Sequence, residues 1–193
     1  MSGAPHYFIG IHLPEELQNY FSKWQEALTN KLPYKQWYNK KDLHITLKFL
    51  GAMEEEKLDM LSESLLSAKN FSSFDIQLGG IGTFGNPTKP RVLWAGVQKN
   101  DRLEELHHLV EQRAAQLGFP KENRIYRPHI TLAKRWKAHP QEDYTDSLTN
   151  IQKQYTETKI MHVGEVIVFQ IHPGRKQKYE PVKTYVLRKV SNS

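Results

Sequence analysis

The sequence predicts an α+β protein built as two related lobes facing one cleft, and three observations carry that prediction. The tetrapeptide His44-Ile45-Thr46-Leu47 returns as His129-Ile130-Thr131-Leu132, at an offset of 85 residues. The order of elements around the copies also repeats: strand 7–13, helix 14–28, strand 44–50, helix 54–68 and strand 74–81 answer to strand 91–97, helix 101–117, strand 129–135, helix 141–151 and strand 160–171. At the same offset Gly79 corresponds to Gly164 and Phe84 to Phe169. The expected organisation is one domain over 1–193, with repeat units 7–84 and 91–171 and a closing strand 182–190.

Each element has a local reason. Tyr7 to Leu13 reads as a strand halted by Pro14, and Pro14-Glu15-Glu16 opens a helix because proline tolerates the first turn and acids favour its dipole. Leu17, Tyr20, Phe21, Trp24 and Leu28 then recur at helical spacing, as do Leu58, Leu61, Leu65 and Leu66, and Leu103, Leu106, Val110 and Leu117, the last set ending at Gly118. Phe74, Ile76 and Leu78 alternate as a strand does. The glycine- and proline-rich stretch Gly79 to Pro90 reads as a loop. His107 and His108 are helical neighbours that do not face one another, so they make a poor metal pair.

Composition narrows the function. A chain of 193 residues with 38% hydrophobic and 11% aromatic residues can bury a core, and a formal charge of +6 favours anionic partners such as nucleic acid or phosphate esters. There is no cysteine, which removes disulfides, thiolate catalysis and thiolate metal sites. No apolar run approaches the length of a membrane span and no basic-then-apolar leader opens the chain, so a cytoplasmic protein away from membranes is expected, and a monomer.

Alternation along the motif strands places His44 and Thr46 on one face with Ile45 and Leu47 on the other, and His129 and Thr131 repeat the division. If the lobes meet about an approximate two-fold axis, two imidazoles and two hydroxyls share one cleft. Histidine moves protons near neutral pH, so one imidazole can deprotonate water while the other supplies a proton to a leaving oxygen, an arrangement suited to in-line displacement at phosphorus. Thr46 and Thr131 would donate to the non-bridging oxygens. Two histidines without a carboxylate are half a usual ligand set, so neither metal nor cofactor is expected; Asp42 shares the His44 face only if the strand begins that early. The candidate phosphate-binding cations are Arg127, Lys134 and Arg135, with Lys48 near the first motif. Strict alternation puts Lys48 on the His44 face and Lys134 opposite His129 unless a bulge intervenes. Lys89, Arg91, Lys121 and Arg124 extend a positive rim, and Trp37, Tyr38 and Tyr126 are candidates to stack a base.

Four segments, Tyr7-Phe8-Ile9-Gly10-Ile11-His12-Leu13-Pro14, Leu43-His44-Ile45-Thr46-Leu47-Lys48-Phe49-Leu50-Gly51, Pro90-Arg91-Val92-Leu93-Trp94-Ala95-Gly96-Val97 and Arg127-Pro128-His129-Ile130-Thr131-Leu132-Ala133-Lys134, make the chain resemble the 2H phosphoesterase superfamily. More narrowly, it resembles the bacterial RNA 2',3'-cyclic phosphodiesterases of the 2'-5' RNA ligase family. The resemblance implies a bilobal α+β fold of mostly antiparallel sheet with outer helices, and metal-independent hydrolysis of RNA 2',3'-cyclic phosphate ends, or small nucleotides bearing that group, to 2'-phosphates. It also implies His44 as proton donor to the departing 3' oxygen and His129 as proton acceptor from water. Many relatives carry arginine five residues after the second histidine, where this chain has Lys134, then Arg135. Two rivals stand beside this reading: a 2'-5' RNA ligase or phosphodiesterase for another cyclic or 2'-linked nucleotide, and a nucleotide- or RNA-binding module without turnover.

Overall fold

Alternating apolar and polar side chains give nine strands, and amphipathic stretches between them give four α-helices, across residues 3–137 and 142–189, which a computed structural model describes. In chain order these are β1 (His6–His12), α1 (Glu15–Thr29), β2 (Tyr34–Trp37), β3 (His44–Ala52), α2 (Glu55–Ser64), β4 (Phe74–Asn86), β5 (Lys89–Val97), α3 (Asp101–Gln116), β6 (His129–Trp136), α4 (Thr145–Gln154), β7 (Thr158–Val163), β8 (Glu165–Ile171) and β9 (Tyr179–Val186). The fold is α+β, and every ladder between these strands is antiparallel.

The strands form one sheet in the order β7-β4-β5-β6-β3-β1-β8-β9, with β2 also paired to β6. The two motif strands are therefore central neighbours, joined at the register pair Ile45–Ile130. The halves of this sheet are not the halves of the chain. β4, which follows β3 in the chain, crosses to pair with β5 beyond β6, while β8, near the end of the chain, returns to β1. Helices cross over in the same way, α1 packing toward β6 and α3 toward β3. Ile9, Ile11, Ile45, Leu93, Ala95, Ile130 and Leu132 turn toward the helices and are buried with Leu17, Phe21, Leu28, Leu103, Leu106 and Val110 in the main core. The opposite face of the central strands is left for the site.

Several expectations change. The segment Gly79 to Pro90 is not a loop: β4 runs to Asn86 and β5 begins at Lys89. Its glycines make strand irregularities instead, such as the register shift between Leu78 and Ile81, where Gly80 has φ +75°. The strand expected over 160–171 breaks at Gly164, so that β7 borders β4 and β8 borders β1. The second helix is α-helical only to Ser64 and continues as a 3₁₀ turn, Leu65–Asn70. That tighter winding leaves Leu65 inside but swings Leu66 out, 45% exposed. The expected helix 141–151 is found at Thr145–Gln154, Gln141 lying outside the described residues, and the closing strand is Tyr179–Val186, with Val190 likewise outside them. Among the described residues no helix is long and apolar enough to cross a membrane.

Candidate active site

Both motif histidines sit at the first residue of their strands and are held alike. His44 Nδ1 lies 2.7 Å from the carbonyl oxygen of Asp42, and His129 Nδ1 lies 2.8 Å from that of Arg127. A carbonyl can only accept, so Nδ1 carries the hydrogen in each ring and Nε2 is the atom left for chemistry. In His44 that nitrogen is 3.0 Å from Thr46 Oγ1, so the neutral ring accepts from the threonine hydroxyl. Thr46 faces Gly10 across the β1–β3 ladder, and a side chain there would meet the Ile45 carbonyl oxygen at 2.8 Å, so the approach requires glycine. On the other strand Thr131 lies opposite Trp94 and His129 opposite Gly96.

The same irregularity interrupts both motif strands. Ile9 pairs with Lys48 and Gly10 with Thr46, leaving Leu47 unpaired; Leu93 pairs with Ala133 and Trp94 with Thr131, leaving Leu132 unpaired. Each is a bulge that shifts the alternation by one residue. In β6 it brings Lys134 round to the His129 face. The charge of Lys134 is felt by both imidazoles, and its ammonium lies 5.1 Å from the centre of the Tyr38 ring. In β3 the bulge turns Lys48 away from His44 to the helix side, correcting the strict-alternation expectation. There Lys48 is buried, its Nζ donating to Glu111 Oε1 and to the Pro120 carbonyl, both at 2.8 Å. Phe49 takes the outward direction and is 62% exposed.

The two imidazoles have different surroundings. His44 is 8% exposed, packed against Phe8 at 4.6 Å and edge-on to Tyr179 at 5.0 Å between ring centres, with Phe169 at 6.3 Å. Burial lowers its pKa to about 4, assisted by the nearby charges of His12, Lys134 and His129 and opposed by its bond to the Asp42 carbonyl. His129 is only partly buried and meets Phe84 edge-on at 4.8 Å. Burial again lowers its pKa, helped by Lys134 and opposed by the Arg127 carbonyl. Beside His129 opens a groove of about 390 Å3 whose walls include Thr83, Phe84, Trp94, Tyr126 and Arg127.

Asp42 does not turn a carboxylate toward the imidazoles as a metal ligand would. Its oxygens accept from the backbone N–H groups of Lys178 and Tyr179, at 2.9–3.1 Å, which seats the β8–β9 connection over His44. Burial raises its pKa, and those two bonds oppose the rise. Among the described residues no group of three or more potential ligand side chains is disposed to hold a metal ion.

The fold thus brings His44, Thr46, His129, Thr131 and Lys134 to one face at the sheet centre. Arg127 is exposed at the mouth of the groove, and Arg135, at φ +63°, is exposed farther along β6. Tyr126 serves as a brace: its hydroxyl donates to the Thr46 carbonyl at 3.1 Å and its ring stacks on His107 at 3.8 Å. Trp37 lies opposite Ala133, and its ring packs near Tyr34 at 6.0 Å. Sequence reasoning missed Phe8, Phe169 and Tyr179, which enclose His44. The offset pairing of Phe84 with Phe169 was the available signal, since each lies beside a different motif histidine.

A family model described as the AKAP7 2'5' RNA ligase-like domain matches residues 5–186. The RNA 2',3'-cyclic phosphodiesterase of Bacillus subtilis (strain 168) is 36% identical over 186 residues, covering 95% of this chain and 97% of that protein. A protein of the same name from Geobacillus stearothermophilus is 31% identical over 94% of this chain, which spans only 57% of its length. Among solved structures, E. coli LigT complexed with 3'-AMP superimposes with a TM-score of 0.75 at 26% identity, covering 95% of this chain and 98% of that one.

Proposed function

The chain belongs to the 2H phosphoesterase superfamily, in its 2'-5' RNA ligase-like branch, and we propose that it is an RNA 2',3'-cyclic phosphodiesterase that opens cyclic phosphate ends to 2'-phosphates. The observation that carries this reading is the matched pair of imidazoles, each tied through Nδ1 to the carbonyl two residues before it, on adjacent central strands. The activity named for the curated relatives supports it.

In the proposed reaction His129 Nε2 takes a proton from water as the oxygen attacks phosphorus, and His44 Nε2 gives a proton to the departing 3' oxygen. The P–O3' bond breaks as the new P–O bond forms, and the 2' ester remains. That direction follows the motif resemblance. Thr46 and Thr131 hold the non-bridging oxygens and Lys134 offsets the growing negative charge. Burial favours the neutral form of both rings, and His44 acquires its proton when the anionic diester arrives and raises its pKa. The two halves act as related lobes of one domain, each supplying one histidine, in a cytoplasmic monomer that needs no metal.

Protein treated with EDTA is expected to convert an RNA 2',3'-cyclic phosphate end to a 2'-phosphate. A 3'-phosphate product would reverse the assignment of leaving group, and no turnover of any cyclic phosphate would leave a binding module.

A further inference from the structure

A second concave surface adjoins the site. The antiparallel β5–β6 register sets Val92 opposite Lys134 and so places the start of β5 beside the end of β6. Lys89, Arg91, Val92, Lys134, Arg135 and Trp136 line a groove of about 610 Å3 there. Four of the six are cations, no carboxylate is among them, and among the described residues none of the four is in an ion pair. Lys35 and Lys137 flank the same end of the sheet, where Lys35 has its pKa lowered first by Lys137 and further by Arg135. Like charges held together without counter-ions repel, and the arrangement is favoured when an anion enters.

Two features make this more than a solvated fringe. Arg135 adopts φ +63°, a conformation L-residues seldom take, at the point where the strand must break its alternation for neighbouring Lys134 and Arg135 to line one groove. Lys134 belongs to both places: it lines this groove and its charge acts on both imidazoles. The positive surface is thus continuous with the reacting centre.

We propose that this groove binds the phosphodiester backbone of the RNA strand upstream of the cyclic phosphate, so that the enzyme prefers oligonucleotide ends to cyclic mononucleotides. The inference rests on the hydrolytic reading above. With the terminal phosphate between the histidines, Lys134 is the joint at which the strand enters, and Lys89, Arg91 and Arg135 meet the phosphates that follow. The contacts are to backbone and carry no base preference.

The test uses the full chain and the exposed pair K89E/R91E. A short RNA already ending in a 2'-phosphate, which needs no turnover, is followed by fluorescence anisotropy over a salt series. Its Kd is expected to rise by about tenfold or more, and the slope of log affinity against log salt to flatten by about 1.4, as expected for losing two cations on a single strand. In steady-state assays KM should rise for an RNA ending in a 2',3'-cyclic phosphate but stay within about twofold for 2',3'-cyclic AMP, which also reports that the variant is folded. Equal RNA affinity and salt slope in the variant and the parent would overturn the groove. Absence of turnover on both substrates in the parent protein would instead overturn the hydrolytic reading, while the binding result still judged the groove.

Discussion

β3 and β6 begin with the same four residues, carry the same bulge after the threonine, and still deliver opposite chemistry. In β6 the residue turned toward the site is Lys134 and the one turned to the helices is the small Ala133. In β3 the corresponding residues are Phe49, outward and exposed, and Lys48, buried against Glu111. The His44 side is accordingly enclosed by Phe8, Phe169 and Tyr179, while the His129 side has a half-open groove and a nearby ammonium. Placing one motif in two settings is a physical route to giving identical imidazoles different protonation behaviour.

The largest expected effects on turnover fall on the shared part. His44→Ala and His129→Ala should each reduce kcat by roughly 10² or more, as for loss of a general acid or base, and the double variant should lose far less than the product of the two. A single-histidine variant with parental turnover would dissolve the pairing.

The next effect separates the strands by stability. Lys48→Met leaves the Glu111 carboxylate buried without its cation and should cost about 3–5 kcal/mol in urea unfolding, whereas adding Glu111→Gln should recover much of it. Because Lys48 is turned from the site, the single variant should keep its kcat at temperatures where it remains folded. A stable Lys48→Met would show that the first bulge hides nothing of consequence.

pH sharpens the contrast between the imidazoles. The folded-state pKa of His44, about 4, lies below the usual 6.5, so the unfolded chain binds more protons between these values and stability falls as pH drops through that window. The loss is complete below pH 4, on the order of 3 kcal/mol, and His44→Gln should remove most of it in denaturation compared at pH 7.5 and 4. Inorganic phosphate binding near pH 6 should draw a proton onto His44, seen as a dependence of the calorimetric heat on buffer ionisation. Absence of uptake would argue that His44 stays neutral in the complex.

The smallest effect tests the cation. Lys134→Met should raise KM by about tenfold, while Phe49→Met, its counterpart on β3, should leave both kinetic constants near parental values.

How much of this was legible beforehand depends on how local each feature is. The repeated tetrapeptide, the faces of its first three residues, and the helices built on Leu17 to Leu28 and Leu103 to Leu117 announce themselves because their periodicity is contained in a few turns of chain. The bulges do not: Leu47 and Leu132 become extra residues only through their register with β1 and β5, so the direction of Lys48 and Lys134 was unreadable from β3 and β6 alone. Gly79 to Pro90 reads as a loop because glycine marks turns and strand irregularities alike. Phe169 and Tyr179 reach His44 from distant sequence, and the Asp42 carboxylate is spent on the distant N–H groups of Lys178 and Tyr179, through contacts that no window along the chain contains.

The exchange of third strands has a mechanical meaning. Since β4 crosses to one side of the central pair and β8 to the other, the chain passes between the two sides of the sheet more than once, and no single connection can serve as a hinge. The two motif histidines are then positioned as the jaws of a fixed caliper would be, by the rung at Ile45 and Ile130. Selection among substrates then falls to what surrounds the jaws and not to their closing.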